Sequence, residues 1–220
     1  ALDLSTATNF SNAWRGTSAL TSFPADAKLG TEAENVNFTS AWQSSGLTSF
    51  STPLPTAANV SLAWLDCTSL TSFNVPLPLA TNVNGSWYNC SSLTNFSSDL
   101  SSADNPSFAF YNCTSLSSFN TPLPLAVNMN GTWLNCSSLT DFSADVFSNW
   151  NPSSLASGVF NDAWDGCTAL TADSVGNILQ SIDASNQFAT VDGNSGSAAI
   201  ADAAIDIDYN VSTGSLSAAT

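Results

Sequence analysis

The chain has 220 residues, of which 43% are hydrophobic and only 9% charged, so it can bury a core but must build its exterior from Ser, Thr and Asn. A net charge of −15, with Arg15 and Lys28 the only bases, excludes a phosphate-neutralising surface for nucleic acid and disfavours anionic membranes. The chain lacks histidine, which removes the commonest general base and metal ligand, and no apolar run is long enough to span a membrane.

In chain order, the opening stretch "ALDLSTATNF" has neither the basic start nor the apolar run of a secretory leader, and it already reads as the first half of a repeat unit. With no polar cap ahead of this unit, a neighbouring subunit or further chain is expected to cover it. Aromatic anchors then recur at Trp14, Trp42, Trp64, Trp87, Phe110, Trp133 and Trp164, separated by 28, 22, 23, 23, 23 and 31 residues. Leu20, Leu47, Leu70, Leu93, Leu116, Leu139 and Leu170 keep step, as do Phe23, Phe50, Phe73, Phe96, Phe119 and Phe142. Asn9, Asn37, Asn59, Asn82, Asn105 and Asn128 stand five residues before the first six anchors. Residues 68–107 also match 114–153 at an offset of 46, the mark of a duplicated two-unit block.

A unit of about 23 residues cannot bury its own apolar face, but stacked units share one core. The Leu-x-x-Phe phrase, which runs into Pro in "LTSFNVPLP", predicts a short parallel strand. The Asn-, Gly- and Ser-rich half, as in "NVNGSWYNC", predicts turns with 3₁₀ or short helix. The expected organisation is a repeat solenoid of about seven units over 1–172, with an insertion at about 143–163. A small α/β cap follows over 173–220, with a helix starting at Asp173 and strands at 187–192 and 203–211.

The in-phase residues Trp64, Cys67, Leu70, Phe73, Trp87, Cys90, Leu93, Phe96, Phe110, Cys113, Leu116, Phe119, Trp133, Cys136, Leu139, Phe142, Trp164, Cys167 and Leu170 are assigned to the core. The cysteines have no paired zinc spacing, are odd in number and project in parallel, so they read as buried thiols and not as disulfides or a metal ladder. Some indole edges are expected to reach water for a hydrogen-bond partner. The Asn file is expected to bond backbone at turns.

Between the core positions, the strand segments should present a small, polar, mildly acidic face. The candidate ligand-binding residues there are Ser72, Asn74, Asn95, Ser97, Asp99, Ser118, Asn120, Asp141, Ser143 and Asp145, and a solvated face without a ligand is the alternative. A hydroxyl row at Thr21, Thr48, Thr71, Thr94 and Thr140 is a weak version of an ice-matching array. Asp206, Asp208 and Asn210 alternate as calcium ligands would in a strand, but lack the Gly and distal Glu of a calcium loop. No nucleophile–base signature exists, so neither an enzyme nor a cofactor is expected.

The phrase W/F-x-x-C-x-x-L-x-x-F-x-x-P at this period resembles the BspA-like leucine-rich repeats of bacterial surface proteins, especially the Ser/Thr-rich variants of phages and marine microbes. The likeness covers about residues 5–172 and departs at Phe110, at Thr17 and in "AWQSSGLTSF", where Ser45 or Gly46 replaces Cys. The segment "LTADSVGNILQSIDASN" is similar to the helix that closes such arrays. The resemblance implies a leucine-rich-repeat-like stack without a shared active site. It implies a recognition or adhesion role outside the cell, on a virion (tail fibre or decoration) or bacterial surface, towards a glycan or protein receptor. The alternative is a structural fibre or shell component whose amino-terminal end docks on a neighbour.

Overall fold

In the computed structural model, which describes residues 2–153 and 158–185, the repeat period becomes successive coils of a solenoid. The expected strands at 187–192 and 203–211, and Asp206, Asp208 and Asn210, lie outside the described residues. The strands are β1 (Asp3–Leu4), β2 (Lys28–Leu29), β3 (Val36–Asn37), β4 (Ser49–Phe50), β5 (Ala57–Asn59), β6 (Ser72–Phe73), β7 (Asn95–Phe96), β8 (Ser118–Phe119) and β9 (Asp141–Phe142). All pair in parallel; in β4–β6–β7, Ser49, Ser72 and Asn95 stand in register, as do Phe50, Phe73 and Phe96. They stay short because the residues after the Phe turn the chain, with Pro53, Pro76 and Pro122 removing a ladder donor.

The return half satisfies its backbone by alternation. The N–H groups of Val60, Leu62, Trp64 and Asp66 donate to the carbonyls of Asn82, Asn84, Ser86 and Tyr88 in the next coil at 2.8–3.0 Å. Those of Ala63, Leu65 and Cys67 instead close turns onto Val60, Leu62 and Trp64 at 2.9–3.2 Å. Consecutive turns thus replace the 3₁₀ or short helix that the sequence left open. This path needs two left-handed residues per coil, one two places before the anchor and one two places after it. Asn89, Asn112 and Asn135, at φ 56–62°, suit the later position, where a short amide side chain tolerates that conformation. The Asn file closes the bend, with the Oδ1 atoms of Asn9, Asn37, Asn59, Asn82 and Asn128 accepting the N–H two residues on.

Inside, the files are dry. Trp42, Trp64, Trp87, Phe110, Trp133 and Trp164 are completely buried. Trp64 and Trp87 stack at 5.6 Å and 4°, and Phe110 substitutes in the same file, lying on Trp87 at 5.2 Å and 6°. The Phe file meets them edge-on, as in Trp64–Phe73 at 4.5 Å. The expectation that some indole edges reach water fails at five anchors: the Nε1 atoms of Trp42, Trp64, Trp87, Trp133 and Trp164 are buried with no hydrogen-bond partner, whereas Trp14 in the first coil is half-buried. Stacking across the coils buries the ring faces, while what packs beside each ring, the Phe file included, closes the edges.

The thiols have a defined role. Cys67, Cys90, Cys113, Cys136 and Cys167 are free and buried, and each Sγ–H donates at 3.1–3.2 Å to the carbonyl of the preceding coil's anchor (Trp42, Trp64, Trp87, Phe110 and Trp133). In the second coil Ser45, not Gly46, takes the thiol position, with its Oγ 3.2 Å from Cys67 Sγ. That coil has one residue fewer between anchor and Leu, and Gly46 absorbs the deficit: a Cβ there would stand 2.0 Å from the Ser18 carbonyl oxygen. Gly46→Ala is therefore expected to push the first coil off the second and cost about 1–3 kcal/mol, read as a lower urea midpoint. An unchanged midpoint would show that the two coils separate freely.

At the far end, the insertion packs as a 3₁₀ turn (Ala144–Val146) and a buried Trp150, whose Nε1 donates to the Ala126 carbonyl at 2.7 Å. Helix α1 (Ala172–Ala184) then takes the place of a further coil. Its N-cap is Thr171, whose Oγ1 accepts the Ser174 N–H at 3.2 Å, so the helix starts one residue before the expected Asp173. Ser174 Oγ accepts the Phe142 N–H and Asn177 Nδ2 donates to the Phe142 carbonyl, at 2.9 and 3.0 Å. Side chains of one helix thereby satisfy the outer edge of β9.

Candidate functional site

The described surface has two periodic faces. On the strand side, Asn74, Asn95, Ser97, Asp99, Asn120, Asp141 and Asp145 are exposed, whereas Ser72, Ser118 and Ser143 are half-buried. Ser97 Oγ donates to Asn74 Oδ1 across coils at 3.0 Å, and Asn95 Nδ2 to Thr94 Oγ1 at 3.1 Å. Asp99 accepts the Ser101 N–H at 2.9 Å, and Ser143 is occupied as the cap of the 3₁₀ turn. The neighbouring hydroxyl row turns its protons inward. Thr48, Thr71, Thr94, Thr140 and Thr171 each donate to a carbonyl of the coil before, at 3.1–3.2 Å, so each acts as a clasp between coils.

The return side carries a second face that the sequence reading missed. One residue after the anchor lie Leu65, Tyr88, Tyr111 and Leu134, all half-buried. Tyr88 and Tyr111 stack at 4.3 Å and 16°, and Phe108, 36% exposed, meets Tyr111 edge-on at 6.4 Å. Beside the tyrosines runs an amide ladder: Asn112 Nδ2 donates to Asn89 Oδ1, and Asn89 Nδ2 to Asp66 Oδ1, each at 2.9 Å. Burial and the neighbouring Tyr111 hold the Tyr88 phenol above its ordinary range. The signal for this face was present in the sequence, since "WYN" and "FYN" put Tyr in one phase of successive units.

Burial pushes the thiols of Cys67, Cys90, Cys113 and Cys136 up, which keeps them protonated and unreactive near neutral pH. Among the described residues, no cluster of three or more Cys, Asp or Glu could hold a metal ion, and no helix is long and apolar enough to cross a membrane. What the solenoid offers a ligand is a periodic array of hydroxyls, amides and a few aromatic rings, with charges that are almost all acidic.

Comparison with known proteins finds one family profile and several solved structures that the chain is similar to. Residues 60–162 match the profile of the BspA type leucine rich repeat region, in six copies. Among solved structures, the chain is similar to a leucine-rich repeat protein of T. pallidum (18% identity, 82% of this chain and 76% of that one, TM-score 0.45). It is also similar to a leucine-rich repeat protein of Bacteroides ovatus (19% identity, 70% of this chain and 49% of that one, TM-score 0.36). A leucine-rich cell surface protein of Faecalibacterium prausnitzii matches at 19% identity, over 68% of this chain and 45% of that one, with a TM-score of 0.39. The chain thus spans about half the length of the last two. No curated protein sequence matches it.

Proposed function

We propose that the chain, whose residues 60–162 match the profile of the BspA type leucine rich repeat region, is a non-enzymatic recognition or adhesion module displayed on the outside of a bacterial cell or a virion. One observation supports the reading: the in-phase aromatic, Leu and thiol side chains are spent in the core, leaving a periodic exterior made mostly of hydroxyls and amides. Such an exterior suits extended binding, in which many weak contacts repeat along the stack. A net charge of −15 favours neutral or cationic partners over anionic ones.

The test is a binding screen of fluorescently labelled protein against oligosaccharide arrays and a panel of bacterial and eukaryotic cells, with the bound carbohydrate analysed for cleavage. Saturable binding without released product is expected. Product release, or a blank on every surface, would end the reading.

A further inference from the structure

We draw no further inference here: the strongest candidate, the outward face of the first coil around the half-buried Trp14 and Leu20, is an unpartnered apolar face, and nothing in the structure shows what covers it.

Discussion

Trp87→Ala is expected to destabilise the protein by about 3–5 kcal/mol, the largest effect of a single core truncation. The indole is completely buried and stacks on Trp64 at 5.6 Å and on Phe110 at 5.2 Å. It also meets Phe73 at 5.0 Å and Phe96 at 4.7 Å edge-on, so removal leaves a cavity that no single coil can close. Because each coil touches only its neighbours, the loss falls on two interfaces in the middle of the stack. Urea unfolding followed by circular dichroism should then split into two transitions as the halves separate. Trp87→Phe should cost much less, since Phe110 already fills the same file. A loss below about 1 kcal/mol for Trp87→Ala would mean that the indole is not packed as described.

Alkaline pH should act on the thiol file with comparable force. Burial raises the folded-state pKa of Cys67, Cys90, Cys113 and Cys136 above the value of about 8.5 that a thiol has in the unfolded chain. Their contribution is therefore complete below about pH 8.5 and is lost as pH rises from there through the folded pKa, where only the unfolded chain ionises. Cys90, Cys113 and Cys136, the thiols pushed up furthest, each add a slope of about 1.4 kcal/mol per pH unit, about 4 together, against a total stability on the order of 5–15 kcal/mol. The chain is expected to unfold reversibly near pH 10–11, with thiolate absorbance at 240 nm rising together with the loss of structure. Cys90→Ser keeps a donor for the Trp64 carbonyl and cannot titrate there, so it should flatten the slope by one thiol's share. Thiolate absorbance appearing in the folded protein at pH 9 would refute the dry file.

Much of this architecture is legible in the sequence because a solenoid turns spacing along the chain into contact in space. Trp64 and Trp87 stack because 23 residues make one coil, and the same arithmetic puts Cys90 under the Trp64 carbonyl. The Asn file could be assigned to turns because an amide that accepts the N–H two residues on is a local device. The expectation for the indole N–H groups fails at Trp42, Trp64, Trp87, Trp133 and Trp164 because spacing places a ring in its file without fixing what packs against its edge.

The sequence alone determined that this chain is a repeat stack with an apolar and thiol interior, an acidic, histidine-free exterior and no evident catalytic apparatus. Period and composition suffice for those, since they follow from which side chains must avoid water. Only the tertiary structure decided which hydroxyls are spent as clasps between coils, and that Thr171, Ser174 and Asn177 serve the cap. It also decided that Tyr88, Phe108 and Tyr111 meet on the return face. The physical reason is that a residue's phase along the chain fixes its coil position but not the direction of its side chain. That direction depends on left-handed residues such as Leu62, Asn89 and Phe108, whose backbone angles the neighbouring coils impose.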